Sequence, residues 1–165
     1  MDAGSQEPAA VLHDVIDVEV EARRATDVDV GDEVIALVES RLDACRDAVA
    51  AFYCLILHGR EGCGFLRYDA GGFYGPHVDR AEVPSWPGAS RRAITVVLFL
   101  NSSEEAAPAG EFGGGVLRVF PGGLDGEPVD IVPRRGLLVA FPAALPHEVT
   151  AVTHGRRDAV VDWFY

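Results

Sequence analysis

The chain has 165 residues, 48% of them hydrophobic, which is enough apolar material for one globular domain with its own core. Acidic residues outnumber basic ones 26 to 14, and the resulting net charge of −12 argues against a nucleic-acid partner, because phosphate binding needs a basic surface. No stretch is long and apolar enough to cross a membrane, and the opening "MDAGSQEPAA" lacks the basic and apolar regions of a secretory leader.

Cys45, Cys54 and Cys63 are odd in number and match no zinc-ligand spacing, so they read as reduced thiols of a cytoplasmic protein. Nothing in the sequence specifies the oligomeric state.

Taken in chain order, residues 1–10 read as a flexible tail, and "VIDVEVEA" (15–22) alternates apolar and polar residues as a half-buried strand does. The segment 29–53 then predicts a helix. Val34, Leu37, Val38, Leu42, Cys45, Val49 and Phe52 recur close to a 3.6-residue period, and acidic residues crowd its first turn. Beyond it the pattern changes to short apolar runs at 64–68, 93–101, 115–120, 128–133, 136–141, 147–152 and 158–165. Gly, Pro, Asp and Ser separate them, the punctuation of a β-sandwich or barrel. "RAEVPSWPGASRR" (80–92), with Trp86, reads as a loop at the mouth of a site, and 101–115 as a further loop. The expected architecture is a single, mainly β domain, with an N-terminal α-helix backing a jelly-roll core over 64–165.

The stretch "YGPHVDR" (74–80) carries the first chemistry. Placed on a strand, His77 and Asp79 share one face, where an imidazole and a carboxylate could hold a metal. Such a short motif needs a third ligand. His13 lies in the expected tail, and His58 and His154 sit in turns. His147, which opens a strand, has the best position. Two His and one carboxylate form the facial triad of non-haem Fe(II) oxygenases, leaving room on the metal for a 2-oxo acid and O₂. The far carboxylate of such an acid calls for a cation. Arg156 and Arg157 follow the last turn, and Arg157 leads into the apolar "AVVDWFY".

"FLRYDAGGFYGPHVDR", "RAITVVLFLN", "GGGVLRVFPGG", "VDIVPRRGLLVAFPAALPHEV" and "GRRDAVVDWFY" together resemble the prolyl 4-hydroxylase-like family of Fe(II)/2-oxoglutarate-dependent dioxygenases, among them the hypoxia-inducible-factor prolyl hydroxylases and their bacterial relatives. The resemblance runs from about residue 64 to the C-terminus. It implies a double-stranded β-helix, the cupin-like jelly roll, with His77, Asp79 and His147 as iron ligands. Arg157 is implied to bind the distal carboxylate of 2-oxoglutarate, and Tyr68 to hydrogen-bond that co-substrate. Tyr74, Arg92 and Trp163 match positions lining the substrate side. The implied reaction hydroxylates an unactivated C–H bond, with a prolyl residue as one target, and releases succinate and CO₂. Related halogenases lack the carboxylate, so its presence as Asp79 favours hydroxylation.

Two departures stand out. Phe99 occupies the place of a tyrosine whose hydroxyl also reaches 2-oxoglutarate in the animal oxygen sensors, and Tyr68 or Thr95 is the expected substitute. The sequence also stops at Tyr165, which gives the expectation that no C-terminal lid clamps a long peptide. The substrate side therefore admits a small molecule, such as a free amino acid or metabolite, as well as a peptide or protein. Rival readings are a non-catalytic jelly-roll module that binds metal or 2-oxo acid, and a cupin-like oxygenase that uses no 2-oxo acid. Neither rival needs a buried cation at position 157.

Overall fold

A computed structural model of the chain describes residues 6–8, 22–80, 87–107 and 109–165. In chain order the strands are β1 (Gln6–Pro8), β2 (Arg23–Arg24), β3 (Thr26–Val28), β4 (Gly64–Asp69), β5 (Phe73–His77), β6 (Ile94–Phe99), β7 (Phe112–Gly114), β8 (Leu117–Val119), β9 (Val129–Ile131), β10 (Leu138–Pro142), β11 (His147–Val149) and β12 (Val152–Phe164). The helix α1 (Asp32–Tyr53) lies between β3 and β4. One sheet runs β1-β3-β4-β12-β6-β10, with β7 added to β12, and the other runs β2-β5-β11-β8-β9. Every strand pair is antiparallel, giving the expected double-stranded β-helix with one helix behind it.

The apolar run of β6 follows from burial on both faces, since successive side chains point to opposite sides of a strand. Ile94 and Val96 face α1, where they pack with Leu42, Leu57 and Phe164. Val97 and Phe99 face the other sheet and meet Leu117, Val119, Phe141 and Ala159. β12 alternates in the same way. Val160 and Phe164 are buried, while Arg157, Ala159, Val161 and Trp163 line the cavity between the sheets.

Several expectations change. The helix buries a stripe through Val38, Leu42, Val49 and Tyr53, whose hydroxyl donates to Ala140 O at 2.9 Å. Val34, Leu37 and Phe52, expected on that face, are 46%, 59% and 80% exposed. The helix has a second apolar stripe, and periodicity alone does not say which one meets the sheet. Residues 6–8, expected in the tail, pair with β3. Within the expected loop 101–115, Phe112–Gly114 forms β7. The turn expected around His154 belongs to β12, where Gly155 at φ +73 lies opposite Phe112. The expected strand at 15–22 and Trp86 lie outside the described residues, apart from Ala22, which is in no strand.

Candidate metal centre

Strand pairing alone brings two of the three candidate ligands together. His147 opens β11 directly opposite His77, the last residue of β5. Each histidine turns its Nδ1 onto a backbone carbonyl two residues earlier, His77 to Gly75 O at 2.8 Å and His147 to Leu145 O at 2.9 Å. A carbonyl only accepts, so both Nδ1 atoms carry the proton and both Nε2 lone pairs are left for a metal.

Asp79 arrives differently from the expected strand face. β5 ends at His77, and the chain turns, with Asp79 N and Arg80 N both donating to Ala143 O at 2.9 Å. That turn swings the carboxylate between the imidazoles. Oδ1 lies 3.7 Å from His77 Nε2, and Oδ2 lies 3.4 Å from His147 Nε2. One ligand atom from each residue lies within 4.8 Å of the others, and no other such group of three occurs among the described residues. His154 is exposed beside Glu104, His58 is also exposed, and His13 lies outside the described residues.

Burial shapes the electrostatics. Desolvation, with His147 adding to it, pushes His77 down to about 4, so it stays neutral and able to coordinate. Burial opposes ionisation of Asp79, yet the neighbouring His147 and His77 and the Thr95 hydroxyl hold its carboxyl well below the usual range. Two imidazoles presenting Nε2 and one carboxylate, meeting at one point, are the donor set for a non-haem Fe(II) ion.

The second half of the site is a cationic pocket in the same cavity of about 180 Å³. Arg157 is 1% exposed, and its guanidinium makes no hydrogen bond or ion pair to any described residue. It lies opposite Tyr68 in the β4–β12 register, with the Tyr68 and Phe99 rings 4.9 and 5.2 Å from its central carbon. Burial lowers its pKa from that of an exposed arginine. A buried cation without a counter-ion is costly unless an anionic ligand completes it. The distal carboxylate of a 2-oxo diacid fits that requirement. Gly115 lets the side chain lie there, because a Cβ at this residue (φ +62) would sit 2.9 Å from Arg157 Cδ.

Thr95 also lines the cavity, and its hydroxyl donates to Asp79 Oδ2 at 2.7 Å. Tyr74, Arg92 and Trp163 all line the cavity. Tyr74 stacks on His77 at 3.5 Å, and Arg92 lies 3.6 Å over the Trp163 ring. Two residues of the site escaped the sequence reading. Arg23 on β2 reaches over Tyr74, and Glu61 grips Arg92 with both carboxylate oxygens, at 3.0 and 2.7 Å. Arg156, next to Arg157, points outward and pairs with Asp69 at 3.2 Å.

The comparisons with known proteins agree with this geometry. The profile of the 2OG-Fe(II) oxygenase superfamily matches residues 63–165. A PKHD-type hydroxylase of Synechococcus sp. (strain JA-2-3B'a(2-13)) is 34% identical over 96 residues, covering 58% of this chain and 39% of the relative. A PKHD-type hydroxylase of Janthinobacterium sp. (strain Marseille) is 36% identical over 102 residues, covering 60% of this chain and 41% of the relative. The chain thus aligns with about two fifths of the length of these relatives. Among solved structures, a prolyl-4-hydroxylase from Pseudomonas putida superposes with a TM-score of 0.70 and 29% identity, over 96% of this chain and 76% of that one. With the profile spanning every candidate ligand and the cationic pocket, the chain belongs to the 2OG-Fe(II) oxygenase superfamily.

Proposed function

We propose that this chain is an Fe(II)- and 2-oxoglutarate-dependent hydroxylase that inserts one oxygen atom into an unactivated C–H bond, with a peptide prolyl residue as the first substrate to test. The observation that carries the proposal is the bare, buried guanidinium of Arg157 in one cavity with His77, Asp79 and His147. A metal-binding jelly roll without a co-substrate has no use for that cation.

In this reading His77 Nε2, His147 Nε2 and one Asp79 oxygen would hold the metal. Arg157 takes the distal carboxylate of 2-oxoglutarate in a two-pronged contact, and Tyr68 beside it supplies the hydroxyl that Phe99 lacks. When bound, iron and 2-oxoglutarate let O₂ react, one oxygen atom leaving in succinate as CO₂ is lost and the other going to the substrate carbon. The buried walls, with Val97, Leu117 and Ala159 among them, keep bulk water from the reacting atoms. Similarity to the Pseudomonas putida prolyl-4-hydroxylase supports a prolyl target. The three free thiols support a reducing compartment.

The test is anaerobic addition of 2-oxoglutarate to the Fe(II)-loaded protein. A visible charge-transfer band, followed on admitting O₂ by succinate release that prolyl peptides stimulate, is the expected result. A band without succinate release under any substrate would favour a non-catalytic binding module. The absence of both would refute the proposal.

A further inference from the structure

Two arginines on the cavity wall are buried almost completely, yet they are treated in opposite ways. Arg157 makes no hydrogen bond or ion pair to any described residue, as described above. Arg92 is 3% exposed and its guanidinium is committed: Nε and Nη2 donate to the two oxygens of Glu61, and Nη1 donates to Asp79 O at 3.2 Å. The Trp163 ring covers its face. Arg23, also on the wall, has Asp27 at 4.0 Å.

Glu61 is not a loose surface partner. Its side chain is 18% exposed, and its backbone N donates to Trp163 O at 3.0 Å, continuing the ladder in which His58 and Gly59 bind Tyr165 O. Its neighbour Arg60 is pinned separately by Glu39, Asp43 and Asp162. A two-pronged, mostly buried pair of this kind is held in place far better than an exposed one.

The formal charges then balance. With iron and 2-oxoglutarate in place, two positive charges on the metal and one on Arg157 face one negative charge on Asp79 and two on the co-substrate. Arg92 is cancelled by Glu61. A substrate whose reacting end carried its own charge would be desolvated in this pocket without a counter-charge to meet it.

We infer that Glu61 is a specificity-determining residue: by neutralising Arg92 it sets the loaded pocket to accept an uncharged, amide-flanked reacting residue and to reject a free carboxylate. The inference rests on the oxygenase reading above. Removing the Glu61 charge exposes the Arg92 cation to the pocket, and the preference moves toward acids.

The experiment uses the N-acetyl derivatives of the proteinogenic amino acids, each as free acid and as primary amide. They are titrated calorimetrically under nitrogen into protein loaded with Fe(II) and 2-oxoglutarate. The visible charge-transfer band establishes loading, and a protein without the band overturns the oxygenase reading and this inference with it. With the band present, the wild type binds amides about tenfold or more tighter than the matching acids, and Glu61→Gln narrows or reverses that ratio by about tenfold through tighter binding of acids. The double variant Glu61→Gln/Arg92→Gln, which deletes both charges, returns to the amide preference, and it keeps the test decisive if Glu61→Gln does not fold. Equal binding of both forms by the wild type, binding of neither, an unchanged ratio in Glu61→Gln, or a double variant that still favours acids overturns the inference while leaving the oxygenase reading intact.

Discussion

The Thr95 hydroxyl donates to Asp79 Oδ2 at 2.7 Å, from a residue with no solvent exposure. Thr95 sits on β6, paired on both sides by β12 and β10 in the larger sheet, whereas Asp79 sits on a turn beyond the end of β5. The hydrogen bond therefore ties Asp79, which lies outside regular structure, to a buried strand paired on both sides. It also fixes the carboxylate's rotation, leaving Oδ1 toward His77 and Oδ2 toward His147.

Loss of that hydroxyl should loosen the metal more than the fold. Thr95→Val keeps the shape and removes the donor, leaving Asp79 Oδ2 buried with one partner fewer. Residues that orient metal ligands typically contribute about 10–100-fold to affinity, and a loss of this size is expected here. Thr95→Ser should restore most of it. Titration of the apo-protein with Co(II), followed by its visible absorption, reads the affinity directly. Wild-type affinity in Thr95→Val would mean that the backbone turn at Ala143 alone holds Asp79.

Much of the site was legible because metal and carboxylate chemistry restrict residue types. His77, Asp79, His147 and Arg157 are readable as motifs, and the strand punctuation after residue 63 indicated the jelly roll. Contacts that depend on how distant segments close were not legible. Glu61 lies in "HGREGCG", which carries no signal for Arg92, 31 residues away, until the segment pairs with the end of β12. The wrong helix stripe has a similar cause, since Leu37 and Phe52 are as apolar as Leu42 and Val49. In the sequence Thr95 reads as a substitute for the hydroxyl missing at Phe99, and its hydrogen bond to Asp79 is set by the turn at Asp79, which no pattern on β6 reveals.

Gly115 offers a test of the cationic pocket that leaves every polar residue in place. At φ +62, Ala is strained there, and its methyl group would meet Arg157 Cδ at 2.9 Å and Val152 Cγ2 at 3.1 Å. Gly115→Ala should cost about 1–3 kcal/mol of stability. It should also raise the 2-oxoglutarate concentration needed to form the charge-transfer band, with Co(II) affinity nearly unchanged. Equal loss of metal and co-substrate binding would point to general disruption and not to displacement of Arg157.

His77 gives the apo-protein a specific pH dependence. Its folded value is about 4, against 6.5 for the ordinary side chain. The unfolded chain therefore binds a proton between these values that the folded chain does not. Stability is unaffected by this group above about pH 6.5 and falls as the pH drops toward 4. The expected loss between pH 7 and 4.5 is roughly 2–3 kcal/mol. His77→Asn should remove that part of the slope, as read by urea unfolding of metal-free protein at the two pH values. An unchanged slope would show that His77 is solvated when the metal is absent.

The adjacent arginines of β12 make the sharpest comparison, because neighbours on a strand face opposite ways. Arg156 is exposed, 54% at its side chain, and paired with Asp69, and exposed pairs contribute about 0–1 kcal/mol. Arg157 is buried and bare, so a carboxylate docking on it gains a desolvated, two-pronged contact worth about 2–5 kcal/mol by truncation. Arg157→Ala should therefore raise the 2-oxoglutarate requirement well over tenfold. Arg156→Ala should hardly change it, and both should keep wild-type Co(II) affinity. Binding of 2-oxoglutarate is read from the charge-transfer band under nitrogen, so loss of turnover does not confuse the result. If the two variants weaken binding equally, the distal carboxylate lies elsewhere, and the bare guanidinium of Arg157 must serve another anion.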